Sequence, residues 1–295
     1  MNKRSRLALV VMIAGAVVMV YPYAYMLGSS FKTRKEFAED RGSLSPARYQ
    51  PGEILADLRG EPSARDWPGA DWPFYQNYVD SIRYGRVDRF LANSFIYAVL
   101  ITGVQLFLNI LAAYAFARMR FPGRDFLFAL LLSTMMVPPA VLLVPNFLVV
   151  RDLGLVDTLW GILLPSFAGA FGVFLLRQAF LNIPGELEQA ARIDGCGSWG
   201  ILWNVVLPLS KPALITLGLF TFMGAWNMFE WPLVVLSNQD YYPLTVGLSY
   251  FSAETSSDWP RIFAASVMGA APLILLFLFA QRYLVGGIRL SGLNT

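Results

Sequence analysis

The chain has 295 residues, of which 56% are hydrophobic and 15% charged, and its formal net charge is only +3. Together with a mean hydropathy of +0.51, that composition excludes a water-soluble globular domain of this size and indicates a membrane protein. A single cysteine, Cys196, excludes an internal disulfide and a Cys-rich metal centre, and the absence of histidine removes the usual general base, metal ligand and pH switch.

A bilayer-crossing helix needs roughly 17 to 25 apolar residues. Six such stretches are read, at about residues 7–26, 90–117, 126–150, 158–176, 212–236 and 262–281, so the expected fold is an all-α integral membrane protein with six transmembrane helices. The first follows MNKRSR, but its apolar core is longer than that of a signal peptide and no small-residue cleavage site follows. A retained anchor helix is expected. Residues 31–88 are read as an extracytoplasmic insertion in which Trp67 and Trp72, each before a proline, form rigid aromatic turns, either as an interfacial belt or as a docking surface. In the second span, Asn93, Gln105 and Asn109 are read as interhelical hydrogen bonds in preference to solute ligands. Pro138, Pro139 and Pro145 in the third predict a break or kink.

Residues 183–210, between the fourth and fifth spans, are too charged for a bilayer. Pro184 suits a first helical turn, Glu186 and Glu188 suit its positive N-terminal dipole, and Gly195 suits a left-handed C-terminal cap. Glu188 and Arg192 stand in the favourable i,i+4 order. A second helix is expected from Ser198 as N-cap, with Trp199, Leu202, Trp203 and Val206 on one face and Pro208 and Pro212 ending it. Two short helices thus meet at a glycine elbow. By itself this reads either as an amphipathic connector on the membrane surface or as a docking element for another subunit.

Basic residues near the span ends set the orientation. Lys3, Arg4, Arg6, Arg118, Arg120, Arg124, Arg177, Arg192, Lys211, Arg282 and Arg289 fall on one side, against Arg151 and Arg261 in the opposite short loops. Both termini and the elbow are therefore expected in the cytoplasm.

The elbow also carries a resemblance. EQAARIDG, then nine residues, then VVLP resembles the EAA loop of permease subunits in ATP-binding-cassette (ABC) importers, with Ala190, Ala191, Gly195, Leu207 and Pro208 in register. Gln189 stands where that family has Glu, with Glu188 next door as a compensating charge, and Val205 replaces Ile. SSFKTRKEF, NSFIYAVL, AAYAFARMRFPGRD and WNMFEWPLVVL are similar to the maltose-permease-like group, which imports sugars and related solutes. The resemblance implies the type I importer permease fold, with core helices two to six plus an N-terminal helix, in a bacterial or archaeal cytoplasmic membrane. It implies as partners a second permease subunit, two cytosolic ATPases and an extracytoplasmic solute-binding protein. It also implies that Glu188, Gln189, Ala190, Ala191, Arg192, Asp194, Gly195, Leu207 and Pro208 form the ATPase-docking and coupling site. The C-terminal GGIRLSGLNT is a further candidate for ATPase contact.

Without a GxxxxGK[ST] motif and with only Lys3, Lys32, Lys35 and Lys211 as lysines, the chain has no P-loop, so ATP and Mg are expected on the partner ATPases and no cofactor or metal on this chain. The expectation is a non-catalytic permease subunit for a di- or oligosaccharide, polyol or glycerol phosphate, with no nucleic-acid partner. In the fifth span, Asn227 and Glu230, three residues apart, share a helical face that either lines the solute path, with Trp226 as a stacking surface, or pairs with a neighbouring subunit. The alternative function is an ion-coupled secondary transporter using Glu230, although such a relay needs more intramembrane acids or histidines than this chain has.

Overall fold

A computed structural model describes residues 3–44, 46, 75–255 and 258–291. Trp67, Trp72 and the last four residues lie outside these. Among the described residues every regular element is helical. The chain divides into two compact units, Met1–Arg89 with Gly247–Pro272, and Phe90–Val246 with Leu273–Thr295.

The first unit contains α1 (Lys3–Ser29), α2 (Arg34–Glu39) and α3 (Gln76–Arg83). Immediately after α1, Lys32 is fully buried, and its Nζ donates to Asp40 O, Ser43 O and Ser43 Oγ at 2.9, 2.8 and 2.7 Å. Thr33 and Glu36 form a reciprocal capping box that starts α2 at this point. Asn77 of α3 donates to Ser30 O and Lys32 O, while Asp80 and Asp258 both pair with Arg261. These polar bonds, together with the rings of Tyr25 and Phe37 on Phe263 and of Phe31 on Tyr78, fasten the end of α1 to α3 and to the chain around residue 261.

The second unit is built around α4 (Val87–Arg118), followed by α5 (Arg124–Thr134), α6 (Pro139–Asp152), α7 (Leu159–Ser166) and α8 (Ala170–Leu181). Next come α9 (Gly185–Ile193), α10 (Ser198–Leu209), α11 (Lys211–Trp226) and α12 (Glu230–Val235), while α13 (Leu244–Glu254) and α14 (Trp259–Ser291) each divide between the two units, residues 247–272 belonging to the first. Ala8–Ser29, Val87–Arg118, Lys211–Val235 and Trp259–Gln281 are each long and apolar enough to cross a membrane. The pairs α5–α6 and α7–α8 bend by 100° and 43° and would each supply one more span if taken together.

The first bend follows the expected prolines. Pro138 is held extended (φ −60°, ψ 134°) by the proline after it, and α6 restarts at Pro139. Pro145, also expected to disturb the span, lies inside α6. The bend between α7 and α8 interrupts what the sequence reads as one continuous fourth span.

Prolines elsewhere release carbonyls that side chains then claim. Pro165 has no N–H for Gly161 O, and Trp231 Nε1 donates to that oxygen at 3.1 Å. Pro232 likewise frees Met228 O, which accepts from Thr245 Oγ1. In an apolar surrounding an unmet carbonyl is costly, so these bonds are what make the interruptions tolerable.

A core of Ala113, Tyr114 and Ala117 from α4, Val173, Leu176 and Phe180 from α8, Ile201, Leu202 and Val206 from α10, and Leu217 from α11 sits beneath the elbow. It sets the position of the site described next.

Candidate coupling elbow and solute-path residues

Helix α9 ends as the sequence predicts. Gly195 has φ +85°, Gly195 N donates to Arg192 O at 3.1 Å, and Cys196 N reaches back to Ala191 O at 2.9 Å. These two bonds are those of a Schellman motif, which needs a residue without a Cβ penalty in the left-handed position. The chain then turns into α10, whose N-cap is Gly197 rather than Ser198.

Pro208 does not stop α10. Residues Leu202–Val206 widen into a π-turn in which Leu207 N bonds Leu202 O, and Pro208 sits in the short α-helical piece that follows, so the helix runs to Leu209. A widened turn relieves the clash a proline ring would otherwise make with the carbonyl four residues back.

The expected single apolar face of α10 is divided. Leu202 and Val206 are buried in the core, but Trp199 and Trp203 are 63% and 54% exposed. The periodicity identified amphipathic residues but not which side the core would take.

On α9, Gln189, Ala190, Arg192, Asp194 and Gly195 are exposed and Ile193 is 87% exposed, whereas Glu188 and Ala191 face inward. In α10, Leu207 is buried and Pro208 exposed. Glu188 does not pair with Arg192. Its Oε1 lies 2.7 Å from Arg118 Nε at the end of α4, with side chains only 11% and 15% exposed. Arg118 Nη2 also donates to Phe180 O and Ile183 O at 2.6 and 2.7 Å. Arg177 of α8 reaches the opposite way, donating from Nε to Phe116 O and placing its guanidinium 4.1 Å from the Phe128 ring. In the sequence Arg118 reads only as a basic residue at a span end; its spacing of seventy residues from Glu188 leaves no local signal of the pairing.

The fifth-span candidates are not brought onto one face. α11 ends at Trp226 with Asn227 as its C-cap, and α12 begins at Glu230, so the helix on which Asn227 and Glu230 would align is broken between them. Both are exposed, and Asn227 Nδ2 donates to Met223 O within its own helix. Trp226 is 2% exposed and stacks on Phe222 with ring centroids 5.9 Å apart, so its face is already covered. Pro232 was the overlooked signal, since it removes the bond that would have continued the helix through Met228.

The second-span amides divide as well. Asn93 donates to Asp240 O and Tyr242 O, and Gln105 Nε2 donates to Ser166 O at 2.6 Å, at the α7–α8 break. Asn109 is buried against Gly172, and its Nδ2 has no hydrogen-bond partner, contrary to the sequence expectation.

A family model described as binding-protein-dependent transport system inner membrane component matches residues 89–290. The probable ABC transporter permease protein YurM of Bacillus subtilis is 31% identical over 274 residues, covering 92% of this chain and 83% of its own. The arabinooligosaccharides transport system permease protein AraQ of Halalkalibacterium halodurans is 36% identical over 202 residues, covering 68% and 72%. The sn-glycerol-3-phosphate transport system permease protein UgpE of Brucella abortus is 30% identical over 287 residues, covering 94% and 93%. Among solved structures, a chain of a bacterial ABC transporter involved in the import of the acidic polysaccharide alginate superimposes with a TM-score of 0.78 at 26% identity, over 96% of this chain and 98% of that one.

Proposed function

The chain belongs to the binding-protein-dependent transport system inner membrane components, and from that premise we propose that it conducts a carbohydrate or related solute inward across the cytoplasmic membrane of a bacterium or archaeon. It is a non-catalytic permease subunit of an ABC importer. On our reading the bent pairs α5–α6 and α7–α8 each count as one span, giving six, with both termini cytoplasmic. Residues 31–88 lie outside the cell, where a solute-binding protein delivers its load. Two ATPase subunits hold ATP and Mg, and a second, different permease completes the pathway. Solutes of the class carried by the arabinooligosaccharide and glycerol phosphate relatives are the candidates.

The observation that carries this reading is the elbow. Gln189, Ala190, Arg192, Ile193, Asp194 and Gly195 form its exposed tip, where small residues permit close seating and a large apolar side chain, Ile193, faces outward. A side chain 87% exposed contributes little to the isolated fold, and its burial in a partner cleft would stabilise a docked complex. Glu188, Ala191 and Leu207 support this tip from beneath, and Pro208 shapes α10 behind it. Asn227 and Glu230, exposed on either side of the α11–α12 break, are assigned to the solute path.

The test is a pulldown in mild detergent from the native membrane, with mass spectrometry of what remains bound. Recovery of an ABC ATPase and a second permease with the wild-type chain, and loss of the ATPase alone with Ile193→Glu, is the expected result. Because residue 193 is exposed, that variant should insert and fold normally. Recovery of equal ATPase with both chains would overturn the docking assignment.

A further inference from the structure

Four short contacts converge on the base of the elbow, and three of them belong to one guanidinium. Arg118 Nη2 holds Phe180 O and Ile183 O, while Nε faces Glu188 Oε1. Phe180 is in the last turn of α8 and Ile183 just past its end, where the helix dipole favours a cation. The fourth contact is Tyr114 OH to Ser198 O at 3.3 Å, one helical turn earlier on α4 and at the start of α10.

Apolar packing does not do this work alone. Between α4 and α10 a cleft of about 200 Å³ opens, lined by Leu111, Tyr114, Met119, Ser198, Trp199 and Leu202. The elbow is therefore held to α4 on one side by polar contacts across an incompletely filled wedge. Arg118 Nη2 gives both its hydrogens to the two carbonyls, which fixes the plane of the guanidinium, and Glu188 Oε1 is held beside Nε at 2.7 Å as a buried ion pair rather than a directed hydrogen bond. Glu188 is thereby located relative to both α4 and α8.

We propose that Arg118 is a positioning residue that latches α9 to α4 and α8 through Glu188, so that a displacement of the elbow moves all three as one body. This rests on the importer reading above, and it assigns Glu188 inward, away from the docked ATPase. The carboxylate and Gln189 then have separate roles: Glu188 transmits force into the membrane helices, and the Gln189 side of α9 receives it.

The latch is tested by electron–electron resonance distances in the complex purified from membranes. Spin labels are placed at Leu187→Cys on α9, outside the docking tip, and Leu108→Cys on α4, both exposed, in a Cys196→Ser background. The probe is Mg-ATP with orthovanadate. With the latch intact, the 187–108 distance is expected to be single and the same with and without nucleotide. Glu188→Ala leaves both Arg118 bonds to α8 in place, so the fold is retained, and it is expected to add a second distance that shifts with nucleotide. Arg118→Lys, which keeps the charge but not the fork, is expected to do the same. A merely structural role would lower the yield of complex without creating a nucleotide-dependent distance. The proposal is overturned if both variants retain the single wild-type distance in both conditions. If instead no ATPase accompanies the wild-type chain, the importer reading fails, while the nucleotide-free distances still decide whether Glu188 and Arg118 fix the elbow.

Discussion

Lys32 shows how a charge is kept inside this protein. Its ammonium is wholly covered, yet its three hydrogens meet three oxygens from Asp40 and Ser43. Burial pulls its pKa below the ordinary 10.5, and the nearby Asp40 and Glu36 charges oppose that shift. Replacement by methionine keeps the stem but leaves those oxygens unmet, at an expected loss of about 2 kcal/mol. Thermal unfolding of the purified protein would read this as a lower midpoint for Lys32→Met. The pH dependence has a definite sign. Since the folded state binds this proton less tightly than the unfolded state, the Lys32 contribution becomes more favourable as pH rises from the depressed pKa towards 10.5. The gap between wild type and Lys32→Met should therefore widen over that interval, and a gap that narrows would show that the ammonium form is the one the fold prefers.

At the scale of helices, the interruptions decide the architecture, and they differ in how much the sequence discloses. The 100° turn between α5 and α6 was visible because two consecutive prolines forbid a helical residue before the second. The elbow was visible because Gly195 follows an acidic N-terminal turn by the length of a short helix. The α7–α8 and α11–α12 breaks were not read, because each depends on a distant side chain accepting the consequences of a proline or a loose carbonyl. Gln105 is such a side chain. It bonds Ser166 O at the α7–α8 break, and Thr221 donates to its Oε1. Asn109, one turn further along α4, makes no bond through Nδ2. Opposite outcomes follow for the same substitution. Gln105→Leu should destabilise by about 1 kcal/mol by orphaning a partly buried carbonyl, whereas Asn109→Leu, of similar shape, should be nearly neutral or stabilising. Paired unfolding measurements in one detergent would check the contrast, and equal losses at the two sites would refute it.

For the molecule as a whole, composition indicated the membrane and the charge distribution set an expected orientation, but neither could reveal which groups meet across the fold. Glu188 is the instructive case. Its helical position was legible, its partner was not, because an arginine seventy residues away is selected by packing of α4 on α8 rather than by any local period. Trp199 and Trp203 fail for a related reason: in a subunit made to be covered by lipid and partners, apolar side chains face outward as readily as inward, so an apolar stripe no longer identifies the core. Orientation, by contrast, follows from an energetic asymmetry that acts during insertion and leaves its record in the loops. It makes a clean prediction about the two faces. In a Cys196→Ser background, a cysteine at position 193 should react with a membrane-impermeant maleimide in inside-out vesicles and not in intact spheroplasts. A cysteine at position 84, where Tyr84 is exposed just beyond α3, should show the reverse. If the elbow docks as proposed, adding an ABC ATPase should then protect position 193 and leave position 84 unchanged. Labelling of both positions from the same side would invert or abolish the proposed topology, and with it the placement of the elbow beside a cytosolic motor.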